Sequence, residues 1–550
     1  MLPPSLRLRA PVLWLLLPFM AGLATAELFP KVYPNPVNLL LAAFGLAVAA
    51  TWQARREGIV GRVLWAGLLA AAALLTGGAY LRWRDPPADW VESVTLREAE
   101  VEMEVSLVFP PAPQARNVGG LGVVTDTAPH LREFARQRVH FSAIRKISVM
   151  PERSARYRVR GVLERVPEGG GFDDHLHNLG VRLRLGRAQI VAETHPPRWF
   201  PAWCERTGEH LERILQRGLE RHPETASVYL AMMLGEKAVL SAEQRNAFMR
   251  SGTFHVFSVS GLHVAAIAAA ILGLLALMRL PPRWTMVLGL LILWLYVQIT
   301  GASAATIRAW LMIAFLFSSR IFHLPGNALA ALALSALVTL LLEPRQLFTT
   351  GFQMSYLVVL ALIVMGAPLA ERWKATWRPF ADLPEISWGW WRKGVVLAGR
   401  RFLDAFAATW AASVASAPAS IGYFGLFSPG ALLANLVVVP LASFALFAGV
   451  ASLLSGLLGL APLSSVFNHA AALLILGMDR LVRAGTQYPG MYFPAEFRAD
   501  WMPAAAMALT AALLLLGLGL RWARNRGGFW LMPALLALAL ILGVNFGPRA

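Results

Sequence analysis

The stretch SGTFHVFSVSGLHV, residues 251–264, contains two histidines, two glycines and several hydroxyl side chains directly before a long apolar run. A core helix of a soluble protein has no need of this mixture, whereas a membrane helix that begins at a polar break does. The glycines permit such a break or close helix packing. The stretch therefore predicts a transmembrane helix that starts beside a polar site.

Apolar runs of similar length recur along the whole chain. Hydrophobic residues make up 57% of the 550 residues, and the mean hydropathy is +0.53. About 20 consecutive apolar residues suffice to cross a bilayer. Candidate runs begin near residues 11, 37, 60, 255, 284, 304, 326, 351, 402, 430, 464, 503 and 529. The composition predicts a polytopic α-helical integral membrane protein with about 11–13 transmembrane helices.

Basic residues in the short loops predict the orientation, because lysine and arginine favour the cytoplasmic side. Three arginines lie near the start of the third run, seven basic residues lie between 371 and 401, and three arginines precede the last run. All of these loops are cytoplasmic if the N-terminus is cytoplasmic. This orientation places region 81–254 in the periplasm and the chain in the bacterial inner (plasma) membrane.

Net charge and cysteine content set limits on the function. The formal net charge is +18, but loop charges that follow from topology explain much of it, so charge alone is weak evidence for nucleic-acid binding. The single cysteine, Cys204, excludes an intramolecular disulfide and a cysteine-based metal cage.

Region 81–200 is less hydrophobic and contains short alternating segments, such as VRLRLGRAQIVAE at 181–193. Alternation interrupted by glycine and proline is typical of antiparallel strands. A small barrel closes such strands without exposed edges, and one such barrel, the OB-fold, binds oligonucleotides. The sequence therefore predicts a periplasmic, β-rich, OB-like domain inserted into the membrane protein.

Basic side chains crowd the middle of this domain, with Phe134, Phe141 and Tyr157 between them. Such a face could follow phosphates and stack bases. An ordinary solvated strand face, or contact with anionic lipid headgroups, is the alternative. The candidate DNA-binding residues are Arg132, Arg136, Arg138, Arg145, Lys146, Arg156, Arg158 and Arg160.

A short acidic and histidine-containing segment, Asp173, Asp174, His175 and His177, has metal-ligating residue types. A zinc site needs three or four convergent ligands with supporting hydrogen bonds. A polar loop is the better interpretation, so we expect neither a metal site nor a cofactor.

Polar residues inside or beside the apolar runs are candidates for a translocation path. Arg308 lies in the run TIRAWLMIAFLF, where a charge is costly unless it faces water, a partner or an anion. Snorkelling is the alternative for Arg308, and interhelical hydrogen bonding is the alternative for Gln353, Ser355 and Asn435. Pro440 is expected to interrupt its helix. The candidates are His255, Ser260, Gly261, His263, Gly301, Ser303, Arg308, Gln353, Ser355 and Asn435.

Ser260 and His263 also permit a different hypothesis, since a helix brings residues three apart onto neighbouring turns. A serine beside a histidine can be a nucleophile with its base. No carboxylate follows nearby in sequence to orient the imidazole, and this segment contains no Gly-x-Ser-x-Gly elbow. The sequence therefore predicts no enzyme activity.

Several blocks, read in order, resemble the ComEC family of DNA-internalisation competence proteins. They are LGEKAVLSAEQRNAFMRSGTFH at 234–255, the opening stretch, TGASAATIRAWLM at 300–312, LEPRQLFTTGFQMSYLVVLAL at 342–362 and FGLFSPGALLANLVVVPL at 424–441. GGFDDHLHNLGVRLRLG at 170–186 resembles, more weakly, the family's OB-like domain. The sequence contains no His-x-His-x-Asp-His cluster, so the nuclease of the family's metallo-β-lactamase-like domain is not carried over.

The resemblance implies an order of domains and a set of partners. The domains are N-terminal transmembrane helices (1–80), the OB-like domain (81–200), amphipathic interfacial helices (201–250), a competence-type channel domain (251–485) and C-terminal transmembrane helices (486–550). The implied partners are single-stranded DNA, membrane lipid, a periplasmic DNA receptor, a separate nuclease, and a cytoplasmic ATP-driven motor or single-strand-binding proteins.

The leading hypothesis is an inner-membrane channel that moves single-stranded DNA into the cytoplasm during natural transformation. A first alternative is a secondary transporter or exporter of another anionic polymer or solute. A second alternative is a membrane-bound serine hydrolase that uses Ser260 and His263.

Overall fold

The protein consists of an α-helical membrane bundle and one inserted β-barrel. The computed structural model describes residues 10–33, 35–54, 58–85, 97–109, 117–127, 134–144, 151–167, 171–235, 241–257, 259–324, 326–384, 388–519 and 528–547. Every structural statement below concerns these residues.

Three N-terminal helices precede the barrel: α1 (Leu13–Leu28), α2 (Pro36–Gln53) and α3 (Ile59–Arg84). Helices α1 and α3 pack with their backbones in close contact. A Cβ atom at Gly22 would lie 1.9 Å from the carbonyl oxygen of Leu74, and one at Gly77 would lie 2.2 Å from that of Phe19. Small residues are what allow membrane helices to approach so closely.

The barrel is closed and five-stranded, with strands in the order β1-β2-β3-β5-β4. Neighbouring strands are antiparallel except β3 and β5, which are parallel. Strand number and closure match the predicted OB-like domain. Its elements are β1 (Arg97–Phe109), β2 (Asn117–Thr127), β3 (Arg138–Ile144), β4 (Arg156–Arg165), α4 (Gly171–Asn178) and β5 (Leu183–His195).

Alternation along the strands decides which side chains fill the barrel. In β1, Val101, Met103 and Val105 are buried, while the glutamates between them face outward. Phe134, Phe141 and Tyr157 belong to the same buried core. The prediction that these three rings stack bases on the surface is therefore wrong, because the rings fill the barrel interior.

Three helices connect the barrel to the rest of the bundle: α5 (Trp199–Gln216), α6 (Pro223–Leu234) and α7 (Ala242–Arg250). The bundle continues with α8 (Gly261–Leu277), α9 (Pro282–Ile299), α10 (Ala304–Ile321), α11 (Ala328–Leu342), α12 (Thr350–Ala361), α13 (Ala367–Thr376), α14 (Trp390–Phe424), α15 (Ala431–Leu457), α16 (Ala461–Thr486), α17 (Met502–Gly519) and α18 (Gly528–Gly543). Short strands β6 (Leu426–Phe427), β7 (Phe493–Phe497) and β8 (Val544–Phe546) form a small sheet.

Many of these helices can cross a membrane. Within the described residues, eight helical segments are long and apolar enough to do so, and four shorter apolar helices accompany them. The eight include α12 and α13 as one continuous segment, since a π-helical turn at Leu362–Gly366 joins them. The chain is thus a multi-pass helical membrane protein with a separate β-rich domain.

Two details differ from the sequence-based expectations. Helix α15 runs without interruption from Ala431 to Leu457 with Pro440 inside it, so the predicted break is wrong; neighbouring helices make proline tolerable in membrane helices. Helix α6 is not a surface helix, since every residue from Ala226 to Leu234 is buried. Its sequence, ASVYLAMML, is apolar on nearly all sides, which is typical of a buried helix.

A buried polar cluster fixes α5 against α16. Asn468 donates from Nδ2 to the carbonyl oxygens of Ile214 at 2.8 Å and Arg217 at 3.0 Å. Its Oδ1 accepts from Ser452 at 2.6 Å and from Tyr229 at 3.3 Å. Asn468 thus supplies a donor to the carbonyl oxygen of Arg217 at the end of α5, and a second donor to that of Ile214, which also accepts from the N–H of Arg217 at 3.4 Å.

Candidate functional site

Arg308 lies one turn into α10, with 3% of its surface exposed. Its Nη2 donates to the carbonyl oxygen of Gly351 at 2.9 Å and to the hydroxyl of Ser355 at 3.2 Å. Its Nη1 donates to Gln346 Oε1 at 3.2 Å. Arg308 therefore does not snorkel to the surface, and it joins α10 to the start of α12.

One partner of Arg308, Gln346, comes from a short segment that links two helices. Helix α11 ends at Leu342, and Pro344–Phe348 forms a 3-10 turn before α12 starts at Thr350. Proline suits the first position of such a turn because its missing N–H would have no partner there. The turn places Gln346 beside Arg308.

Ser260 and His263 form a helix cap. Ser260 precedes α8, and the Nδ1 atom of His263 lies 2.8 Å from its hydroxyl and 3.3 Å from its backbone nitrogen. His263 is fully buried. The residue before a helix and the third residue of that helix commonly satisfy each other's polar groups. The contact between Ser260 and His263 is therefore explained as a helix cap. His255 lies just before, in the 3-10 turn Phe254–Phe257.

The start of α8 lies close to Arg308. A Cβ atom at Gly261 would lie 3.9 Å from Ala309, the residue after Arg308. Gly301 has a φ of +82° in the turn before α10, a conformation that favours glycine. Ser303 then caps α10 by accepting from the backbone nitrogen of Thr306 at 3.3 Å. The N-terminal ends of α8 and α10 therefore lie side by side. The N-terminal end of α12 contacts Arg308.

Gln353 belongs to a second polar contact at the start of α12. Its Nε2 donates to the carbonyl oxygen of Leu347 at 3.0 Å, and its Oε1 accepts from the hydroxyl of Tyr423 at 2.8 Å. Gln353 thus connects the 3-10 turn with the end of α14. Asn435 is partly buried in α15, and its Oδ1 has no hydrogen-bond partner among the described residues.

On the barrel, the arginines of β4 face the glutamates of β1. The distances are 3.4 Å for Arg156 to Glu104, 3.9 Å for Arg158 to Glu100 and 3.2 Å for Arg160 to Glu98. We call these six residues the charge ladder. Carboxylates therefore already compensate these three candidate DNA-binding arginines.

The other basic candidates lie elsewhere. Arg136 is exposed in the turn before β3, and Arg138 begins β3. Arg132, Arg145 and Lys146 lie outside the described residues. The structure therefore describes five of the eight candidates: Arg156, Arg158 and Arg160 on β4, Arg138 on β3 and Arg136 just before it.

A cluster of rings joins the end of β1 to β3 and α4. His140 on β3 contacts Phe172 of α4, with ring centroids 5.5 Å apart, and Phe109 at the end of β1, 5.9 Å apart. Phe172 also contacts Phe109 at 5.9 Å and His175 at 6.5 Å. Phe172 is 51% exposed. These four residues, the ring cluster, could not be found from sequence, because they are distant in the chain.

The electrostatics of the ring cluster centre on His140. Burial and the nearby Arg184 guanidinium lower the pKa of His140, and the carboxylate of Asp173 opposes this shift. Arg184 lies beside His140 in the parallel register of β3 and β5. The ring cluster therefore has an uncharged imidazole at neutral pH, and the guanidinium on its flank, Arg184, is paired with Glu164 at 2.7 Å.

The acidic and histidine segment lies within α4. Among the described residues, no group of three or more histidine, cysteine, aspartate or glutamate side chains could hold a metal ion. His177 Nε2 lies 3.1 Å from the carbonyl oxygen of Pro167.

A charged cluster that the sequence analysis did not single out joins the barrel to the bundle. Arg345, whose side chain is 9% exposed, pairs with Asp85 and, at 3.3 Å, with Glu27. Asp85 also lies 3.6 Å from Arg182 of the barrel. These four residues form the junction cluster. Two charges beside Pro344, between two apolar runs, are the signal from which sequence reasoning could have found it.

Comparisons with known proteins agree with this architecture. A family model described as "Competence protein" matches residues 232–523. ComE operon protein 3 of Bacillus subtilis (strain 168) is 30% identical over 145 residues, which cover 26% of this chain and 19% of that protein. Competence protein ComA of Neisseria gonorrhoeae is 29% identical over 310 residues, which cover 53% and 39%. The matches span less than half of either relative, and no solved structure gives a significant match.

Proposed function

The chain belongs to the competence protein family, and from this premise we propose that it moves single-stranded DNA across the inner membrane during transformation. The relatives named for competence support a role in DNA uptake. The ring cluster of the barrel is the observation that carries the choice of a single strand as the substrate.

The ring cluster supports strand binding because unpaired bases stack on exposed aromatic side chains whatever their sequence. Phe172 projects to solvent and is backed by Phe109 and His140. Arg138 lies two residues before His140, so strand alternation puts both on the outer face, where a cation can hold a phosphate. A duplex hides its bases, so this face favours single strands.

In the membrane, the strand path follows the N-terminal ends of α8, α10 and α12. Each helix N-terminus has a partial positive charge that attracts phosphate. Contacts of this kind bind a phosphate and release it again, as translocation requires. Arg308 acts in this proposal by holding α10 and α12 together, since three protein groups already occupy its guanidinium.

The proposed orientation has the barrel in the periplasm and the N-terminus in the cytoplasm. The seven basic residues between 371 and 401 support it, since such residues favour the cytoplasmic side. The activity is transport and not hydrolysis, because the cap at the start of α8 accounts for Ser260 and His263. A periplasmic DNA receptor, a separate nuclease and a cytoplasmic motor or single-strand-binding proteins are the partners that this transport requires.

The test combines binding and uptake. The purified full-length chain in detergent is titrated with fluorescein-labelled thymidine oligonucleotide and with a duplex of equal length. Wild type is compared with Phe172→Ala and with Val191→Ala, an exposed apolar position elsewhere on the barrel. Loss of one stacked base costs about 1–3 kcal/mol. We therefore expect Phe172→Ala, but not Val191→Ala, to bind the oligonucleotide roughly 5- to 150-fold more weakly than wild type.

Uptake of a labelled, selectable DNA fragment is then measured in a competent deletion strain complemented with each variant. We expect wild type and Val191→Ala to restore internalised DNA and Phe172→Ala to restore less. Unchanged uptake on deletion would overturn the proposed function and favour transport of another anionic solute.

A further inference from the structure

Arg138 belongs both to the proposed strand-binding face and to the barrel's attachment. It lies on the outer face of β3 beside the ring cluster, and its side chain is 45% exposed. Its Nη2 lies 2.5 Å from Oε2 of Glu343, and its Nη1 donates to the carbonyl oxygen of Leu179 at 3.3 Å. The guanidinium that could hold a phosphate therefore has a carboxylate partner from the membrane bundle.

Glu343 lies at the start of the segment that organises the membrane core. It follows α11 directly, Arg345 in the next turn pairs with Asp85 and Glu27, and Gln346 accepts from Arg308. Glu343 is thus only three positions before Gln346, the residue that accepts a hydrogen bond from Arg308. The proposed strand-binding face and the start of α12 are connected through this segment.

We propose that Glu343 competes with a nucleic-acid phosphate for Arg138, so that strand binding at the ring cluster opens the Arg138–Glu343 ion pair. This inference rests on the proposed function and adds its regulation. A phosphate and a carboxylate are both anionic oxygen acceptors, and a guanidinium can exchange one for the other without losing its charge partner.

Exposure makes the exchange feasible at this pair. Arg138 and Glu343 are 45% and 27% exposed, and removing an exposed ion pair of this kind changes an equilibrium constant by roughly two- to fivefold. The junction cluster differs, since Arg345 is 9% exposed and has two carboxylate partners. Arg345 therefore keeps the barrel attached while Arg138 changes partners.

The experiment measures the affinity of the full-length protein in detergent for fluorescein-labelled thymidine oligonucleotide by anisotropy. The variants are Glu343→Gln, Arg138→Gln and the double variant, with Glu98→Gln as the control because it removes a barrel carboxylate from the charge ladder. We expect Glu343→Gln to bind roughly two- to fivefold more tightly, and Arg138→Gln more weakly, than wild type. In the Arg138→Gln background, Glu343→Gln should change nothing.

The outcomes separate this inference from the proposed function. Absence of oligonucleotide binding by folded wild type overturns the proposed function and the inference with it. Binding by wild type with equal affinity for Glu343→Gln overturns the inference alone. Two further results also overturn the inference, because they indicate general charge repulsion. One is that Glu343→Gln still tightens binding in the Arg138→Gln background, and the other is that Glu98→Gln tightens binding as much as Glu343→Gln does. Circular dichroism and gel filtration establish that each variant is folded.

Discussion

Arg308 Nη2 lies 2.9 Å from the carbonyl oxygen of Gly351, although the two residues are 43 positions apart in the chain. Gly351 leaves room for this approach, because a Cβ atom at that position would lie 3.2 Å from the same nitrogen and crowd it. The contact fixes the start of α12 against α10, and Gln346 and Ser355 complete it. Protein groups thus accept from both Nη atoms of this arginine within an apolar helix, while its buried Nε has no partner among the described residues.

Replacing Arg308 with lysine should destabilise the bundle, because one ammonium group cannot match the planar fork that reaches three acceptors. Each buried acceptor left unpaired costs about 1–3 kcal/mol. Thermal unfolding in detergent, followed by tryptophan fluorescence, measures the effect. Arg320→Lys is the matched control, since Arg320 is exposed at the end of the same helix. Equal stability of Arg308→Lys and wild type would contradict the organising role.

Ser260→Ala should lower stability by about 0.5–2 kcal/mol, the usual cost of losing a helix N-cap. Ser260→Thr retains a hydroxyl and should lose less. The same thermal unfolding experiment measures both. If Ser260 is a cap and not a nucleophile, a fluorophosphonate probe should label neither wild type nor variants; labelling that Ser260→Ala abolishes would revive the hydrolase alternative.

Charge swapping across the barrel should be tolerated. The double variant Glu98→Arg, Arg160→Glu keeps opposite charges on β1 and β4, whereas Arg160→Glu alone places like charges side by side. Exposed pairs contribute only about 0–1 kcal/mol, so both effects on stability should be small. Oligonucleotide affinity should stay close to wild type for Arg160→Gln. A large loss of affinity there would place the strand on the charge ladder instead.

Acid should destabilise the barrel through His140. Its folded-state pKa is lowered from the ordinary value of 6.5, first by burial and then by Arg184. The folded state therefore binds fewer protons than the unfolded state below that pH, and stability present above it is lost as the pH falls. We expect the drop in unfolding temperature between neutral and acidic pH to be smaller in His140→Phe, which keeps the ring. An identical drop in both proteins would refute this.

Asn468→Leu should loosen α5 from the bundle, because the carbonyl oxygen of Arg217 loses the donor from Asn468 and that of Ile214 keeps only the N–H of Arg217. A buried carbonyl left without a partner costs about 1–3 kcal/mol. Limited proteolysis of purified protein should show faster cleavage within 199–222 than in wild type. Val466→Ala, at a position of α16 that is 63% exposed, is the control, and equal protection of both variants would argue against the role of Asn468.

The sequence predicted the membrane class and the barrel because both depend on local patterns. Long apolar runs predict transmembrane helices, and a period of two with outward glutamates predicts strands such as β1. The approximate number of helices and the place of the inserted domain followed from these patterns. The sequence blocks in the region 234–441 resemble a competence family, and the match of the family model to residues 232–523 shows that the chain belongs to it.

Side-chain partners were harder to predict. Arg156, Arg158 and Arg160 look like a basic stripe in sequence, yet strand pairing places β1 glutamates opposite them. Phe134, Phe141 and Tyr157 have a spacing that does not reveal which face is inside. Ser260 and His263 resemble a catalytic pair until the start of α8 shows that they cap a helix.

The sequence by itself determined that this chain crosses the membrane many times and contains a β-rich domain, because hydropathy and periodicity act over a few neighbouring residues. Only the tertiary structure decided which polar groups meet: Phe109 with Phe172, Arg308 with Gly351, and Arg138 with Glu343, 205 residues apart. Such pairs form when helices and strands distant in sequence pack together and each buried polar group must find a partner.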